Sequence, residues 1–289
     1  MIQEKIKELQ NVQLSIMDDI HRVCVGLGLR YYLIGGSAIG AVRHKGIIPW
    51  DIDIDIAMPR KDYEKFVLEG SKLLKSEFSV HDYRTDKDFG TFHALVVLKD
   101  SQIKFKYEKH SDKQNRFGIF VDVLPLDQWP DNEIYKKKLI LEHNFIKTIR
   151  ELRQGDNRFS GNIFKKCIKI LLYKILRTTV SLYSLNKWEQ NVISRCNTED
   201  EGENWCSKLS HYTLDKLTMP KKYFGTPILH PFSGRSYYIP EQIDNYLVHL
   251  FGDYMKLPPE DKRYDLAHQL EYVSWFDENG NFHEITSFN

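Results

Sequence analysis

The sequence predicts a mixed α/β protein of the α+β kind: a mixed sheet core flanked by helices, with a mainly helical insertion. Three observations predict it. Over the first 130 or so residues, helical periods alternate with short β-rich runs. The stretch that follows, 131–204, loses those runs and turns helical and basic. The last stretch, 205–289, mixes short strands with one helix. The expected division is therefore a core over 1–130, a basic helical segment over 131–204, and a C-terminal segment over 205–289 that completes the cleft of the core.

Each element has a local reason. Residues 2–25 place Ile2, Ile6, Leu9, Ile16, Ile20 and Val23 at three- and four-residue steps, and Gly26 and Gly28 stop that helix. Arg30–Ile34 is a short β-rich run ending at Gly35-Gly36-Ser37, before a short helix over 38–43. A loop over 44–50 closes at Pro49, and Asp51–Ala57 alternates strictly as a strand does. Residues 60–75 return to helical period through Tyr63, Phe66, Val67 and Leu74. Four strands follow, over 78–83, 91–98, 103–107 and 118–124, the last ended by Pro125. Near the C-terminus Pro240 is placed to start a helix that buries Ile243, Tyr246, Leu247 and Leu250, with Gly252 to end it.

Composition narrows the function. The chain has 289 residues, 42% hydrophobic and 28% charged, so it buries a core and is neither disordered nor collagenous. A formal net charge of +1 argues against a uniformly basic nucleic-acid binder. Glu4, Lys5, Lys7 and Glu8 interrupt any apolar leader, and no run reaches the ~18 apolar residues of a spanning helix. A cytoplasmic protein is expected. Four cysteines are too few for a disulfide scaffold. Cys196, Cys206 and His211 are loosely spaced for zinc, and small buried hydrophobes are the plainer reading of the cysteines.

The chemistry centres on Trp50-Asp51-Ile52-Asp53-Ile54-Asp55-Ile56. A period of two sends the isoleucines to one face and the aspartates to the other, about 7 Å apart along the row. Aspartate is a poor strand former, and such neighbours repel by about half a kcal/mol even in water. A divalent cation explains the row, and hard Mg2+ takes both carboxylate and phosphate oxygens. Gly35-Gly36-Ser37 ahead of a helix suits a phosphate, because glycine admits close approach and a helix start offers free N–H groups. Arg43, His44 and Lys45 follow as cations able to neutralise phosphate. Asp122, alone in the apolar run Phe120-Val121-Asp122-Val123-Leu124, is costly to bury unless it is paired or joins the cation site.

Strand, Gly-Gly-Ser, helix, Asp-x-Asp strand and later Asp strand resemble the nucleotidyltransferase superfamily. The run Gly35 to Met58 is very similar to the signature of the LicD family, and Arg60–Phe66 continues it. Gly118–Asp127 resembles the family's second block, and Gly252–Pro259 with Arg263 and His268 its C-terminal block. The resemblance implies a transferase of cell-surface polymer assembly (lipopolysaccharide, teichoic acid or capsule). Such an enzyme moves a phospho-alcohol, often phosphocholine from CDP-choline, to a hydroxyl of a glycan or lipid-linked glycan and releases CMP. It further implies Mg2+, with Mn2+ as the alternative, held by Asp53, Asp55 and Asp122. Asp51 is also a family position, and Ile52 departs from relatives that carry Asp there. Gly35, Gly36, Ser37, Arg43 and Lys45 become the donor-phosphate residues, and Asp122 or Asp51 the general base. No nucleic-acid partner is expected. The competing readings are a nucleotidyl transferase acting on RNA or a small-molecule hydroxyl, and an inactive binding module.

Residues 131–197 carry fourteen Lys or Arg against six Asp or Glu, about +8, which leaves about −7 elsewhere. Within Asn162–Trp188, Phe164, Ile168, Leu171, Leu172, Ile175 and Leu182 are interleaved with Lys165, Lys166, Lys169 and Arg177. That pattern reads first as a core-facing helix with a solvated basic face, and it also fits peripheral contact with the inner face of an anionic membrane.

Overall fold

The computed structural model describes residues 2–91, 93–106, 118–154, 163–198, 202–207 and 212–286. In chain order the elements begin α1 (Ile2–Leu27), β1 (Tyr32–Leu33), α2 (Gly35–His44), β2 (Asp55–Pro59) and α3 (Arg60–Leu68). They continue with β3 (Phe78–His81), β4 (Ala94–Leu98), β5 (Gln102–Phe105), β6 (Phe120–Trp129), α4 (Glu133–Gln154), α5 (Ile163–Thr179) and α6 (Leu182–Ser194). The last part holds β7 (Asn204–Ser207), α7 (Leu214–Leu217), β8 (Thr218–Pro220), α8 (Lys221–Phe224), β9 (Ile228–Phe232), β10 (Arg235–Ile239), α9 (Ile243–Phe251), β11 (Leu270–Phe276) and β12 (Phe282–Thr286). The fold class is mixed α/β, as the alternating periods predict. Tyr107, Arg158 and His211 lie outside the described residues, as does the side chain of Phe164.

The chain forms two compact units. One contains residues 1–80, 93–126 and 203–289; the other contains 81–92 and 127–202. The first unit is built on a mixed sheet of order β1-β2-β6-β4-β3, to which β7 and β8 add beside β6. β2 and β6 run parallel, whereas β1–β2 and β4–β6 are antiparallel. α1 packs on β4, and its Ile6, Leu9, Ile16 and Ile20 join Ile52, Ile54, Ile56, Val96, Val121 and Val123 in one core. Each such side chain contributes roughly 1.5–3 kcal/mol through burial. The second unit is helical, with α6 burying Leu182, Leu185, Val192 and Ile193.

Several elements differ from the sequence expectation, each for a local reason. β6 runs through Pro125 instead of ending there. Pro125 pairs with Met58 of β2 in the parallel ladder, and it lies beyond the last residue that β4 pairs, Val123. The helix expected over 60–75 ends at Leu68 and gives way to a 3-10 turn at Gly70–Lys72. A side chain at Gly70 would meet Phe66 and Val23, so the turn seats glycine against the core. Of the four cysteines, Cys24 and Cys206 are buried, but Cys196 is half-buried and Cys167 is exposed.

Candidate active site

The acidic row is extended, but only Asp55 belongs to a strand; Asp51–Ile54 precede β2. The alternation still governs burial: Ile52, Ile54 and Ile56 are buried, and Asp51, Asp53 and Asp55 are half-buried. The carbonyls ahead of the strand find partners in two glutamines of α1. Gln10 Nε2 donates to Ile48 O at 2.9 Å and Asp51 O at 2.8 Å, and Gln13 Nε2 donates to Ile52 O at 2.6 Å. Buried carbonyls need such partners, and side-chain amides supply here what a neighbouring strand would otherwise supply. Both glutamines are buried on the apolar face of α1. A polar residue at a core position of a periodic helix is the sequence signal that could have marked them.

Gly35-Gly36-Ser37 is the first turn of α2 rather than a loop ahead of it. Gly35 takes φ of 56°, a left-handed value that suits glycine. Its N–H donates to Tyr246 Oη of α9 at 3.0 Å. At Gly36 a Cβ would stand 2.7 Å from Asp51 Oδ2, so the missing side chain leaves that carboxylate room to lie where it does. Ser37 Oγ accepts the backbone N–H of Asp55 at 2.9 Å, which ties the helix start to the acidic row. Among the described residues the N–H groups of Gly36 and Ser37 have no acceptor, as the first turn of a helix requires unless a ligand supplies one.

β6 brings Asp122 into register with Asp55 on the parallel strand β2, about 4.8 Å away across the ladder and on the same face. His93, just before β4, sits against it, with Nε2 2.5 Å from Asp122 Oδ1. His93, Gln10, Gln13 and Tyr246 are the site residues that sequence reasoning missed. The sequence holds no local signal for His93 or Tyr246.

Electrostatics set this row apart. Burial raises the carboxyls of Asp51, Asp53 and Asp55 above their ordinary value, the last two well above it. Neighbouring charge adds to this: Asp51, Asp55 and Asp122 act on Asp53, and Asp122 and Asp51 act on Asp55. A hydrogen bond between Asp51 and Asp53 favours a proton on Asp53 and charge on Asp51. Among the described residues no Lys or Arg pairs with Asp51, Asp53 or Asp55. No three His, Cys, Asp or Glu side chains there stand as a finished ligand cage. A hard cation such as Mg2+ needs only one or two carboxylates and completes its shell with phosphate oxygens and water. Asp53 and Asp55 are the residues that could hold such an ion, with Asp122 at their side.

Of the predicted cations, Arg43 is held elsewhere. Arg43 Nη1 donates to Tyr254 O at 2.7 Å and Lys256 O at 3.3 Å, holding the segment after α9; burial, then Arg263, lowers its pKa. Lys45 is exposed and ends α2 in the left-handed region. His44 packs edge-on to Trp50, with ring centroids 5.7 Å apart, and Arg263 lies over Trp50 at 5.3 Å. Tyr264 touches both Trp50 and His268. The segment around Arg263 and His268 thus reaches the residue next to Asp51. A separate groove of about 930 Å3, walled by α1, Phe78, Trp275 and the β11–β12 turn, contains none of Asp51, Asp53, Asp55 and Asp122.

Residues 28–153, which span the Gly-Gly turn, the acidic row and Asp122, match the family model described as LicD/FKTN/FKRP, nucleotidyltransferase domain. Those residues carry a LicD-family domain. It is 29% identical over 274 residues, 93% of this chain and 98% of the relative, to the lipopolysaccharide cholinephosphotransferase LicD of Haemophilus influenzae. An uncharacterized protein of Rickettsia prowazekii is 40% identical over 125 residues, 43% of this chain and 42% of that one. The ribitol 5-phosphate transferase FKRP of Homo sapiens is 54% identical over 35 residues, 12% of this chain and 7% of that protein. These similarities join a relative named for a choline phosphate and one named for a ribitol phosphate.

Proposed function

We propose that this protein moves a phospho-alcohol from a CDP-activated donor, CDP-choline before others, to a hydroxyl of a cell-surface glycan or its lipid-linked precursor, and releases CMP. The coarser reading, a phosphotransferase acting on a glycan, rests on the full-length relative and the ribitol transferase. One observation carries the finer one: three half-buried carboxylates in a row, with a fourth in register, and no Lys or Arg paired with Asp51, Asp53 or Asp55 among the described residues. When bound, Mg2+ would supply charge neutralisation for the donor diphosphate at Asp53 and Asp55.

The chain's own residues have distinct tasks in this reading. The N–H groups of Gly36 and Ser37 receive a phosphate oxygen of the departing nucleotide. Asp122 takes the acceptor hydroxyl's proton, with His93 holding one of its oxygens. The acceptor oxygen forms its bond to the phosphorus that carries the alcohol as the P–O bond to CMP breaks. Asp51, fixed by the Ile52 N–H at 3.1 Å and seated against Gly36, shapes the row. The test is a CDP-alcohol panel with a glycan acceptor, read by mass spectrometry for CMP and product, with and without EDTA. Product from CDP-choline that EDTA abolishes and Mg2+ restores is the expected result. Release of CMP from no member of the panel, or incorporation of CMP into tRNA from CTP, would overturn the proposal.

A further inference from the structure

α5 is amphipathic, and the expectation that it turns its apolar side to the core is contradicted: among its described residues none is buried. Ile168, Leu171, Leu172 and Ile175 recur at three- and four-residue steps, and they are 41%, 58%, 37% and 47% exposed. The helix packs against α4, and its half-buried positions are Lys166, Lys169, Ile170, Tyr173 and Leu176. The orientation is inverted: a mixed face with two lysines meets protein while four large aliphatics meet solvent. An ordinary surface helix does the reverse, and a contiguous apolar stripe left outside marks an interaction surface.

Charge selects the occupant. Between Asn157 and Trp188 there is no Asp or Glu, and α5 itself carries Lys165, Lys166, Lys169, Lys174 and Arg177. A second copy laid on the same face would set five cations against five. An anionic bilayer offers hydrocarbon for the stripe and negative headgroups for its flanks. No helix among the described residues is long and apolar enough to cross a membrane. We propose that α5 is an interfacial anchor, lying in the surface of an anionic phospholipid bilayer with Ile168, Leu171, Leu172 and Ile175 inserted below the headgroups. This goes beyond the chemical reading and does not depend on it.

The whole protein is sedimented with vesicles of phosphatidylcholine alone, or with about one third phosphatidylglycerol, at low and high salt. Binding is expected only to the anionic vesicles, weakening as salt rises. Leu171→Glu with Ile175→Glu is expected to lower vesicle partitioning tenfold or more. Lys174→Glu with Arg177→Glu is expected to lower it by about tenfold and to flatten the salt dependence. All four positions are exposed, so circular dichroism and melting should match the parent. No binding to anionic vesicles at low salt, or unchanged binding of the Leu171→Glu, Ile175→Glu variant, would overturn the anchor. So would light scattering that shows a dimer dissolved by that variant, or a cross-linked protein partner lost with it, while vesicles fail to bind. CMP release from a water-soluble donor should be equal in all variants, so the two proposals fail separately.

Discussion

Two acidic sites in this molecule are built on opposite plans. In the helical unit Glu189 is fully buried, and the chain answers its charge from within: Arg150 pairs with it, His143 stands 3.2 Å away, and Arg150 also donates to Asn186 at 2.7 Å. In the sheet unit Asp51, Asp53 and Asp55 are half-buried side by side, and no Lys or Arg among the described residues answers them. A buried acid that serves structure brings its own counter-charge, since an unpaired one is strongly destabilising. Where a chain fails to supply one, the missing charge is left for something that binds. The contrast separates a structural acid from the row proposed to be catalytic without appeal to any relative.

The comparison breaks first at activity. Asp53→Asn and Asp55→Asn should each cut transfer by about a thousandfold or more, while the metal-free melting temperature stays level or rises by a few degrees, because repulsion has been removed. Loss of stability in both, with transfer intact, would make the row structural after all. Arg150→Met should do the reverse, costing about 3–5 kcal/mol in urea unfolding, with any activity that survives showing an unchanged KM. Gln13→Leu tests the bridge between core and row. Leaving Ile52 O without its donor should cost about 1–3 kcal/mol and lower kcat through a displaced Asp53.

The smallest effect is a pH slope. Asp53 and Asp55 have folded-state pKa values above the ordinary 3.8, so on raising pH the unfolded chain gives up these protons first. Between the two values the folded state holds more protons, and stability must fall as pH rises. The metal-free protein should therefore lose melting temperature relative to Asp53→Asn as pH climbs above about 4, and saturating Mg2+ should erase the difference. A parallel pair of curves would mean that the row feels no such strain.

The legible parts of this molecule were those whose cause is local. A two-residue period writes itself into burial, so the opposite faces of Ile52-Asp53-Ile54-Asp55 follow from the letters alone. The Gly-Gly-Ser run announces a backbone that must come close to something, but not that this something includes Asp51. Gln10, Gln13, His93 and Tyr246 act across 29 to 211 residues of chain, and spacing carries no such information. Pro125 misled for a related reason: whether a strand continues through a proline depends on the neighbours it pairs with, and that is a property of the sheet. The inverted α5 shows the same limit, because amphipathicity gives a stripe and not the direction in which it points.

Gly36 has a further consequence. The space its missing side chain would fill already belongs to a carboxylate oxygen, so any side chain placed there must push Asp51 out of its seat. A laboratory library seeking acceptance of a different alcohol should hold it constant and diversify the aromatic surroundings of Trp50 instead, where a change of shape need not disturb the acidic row.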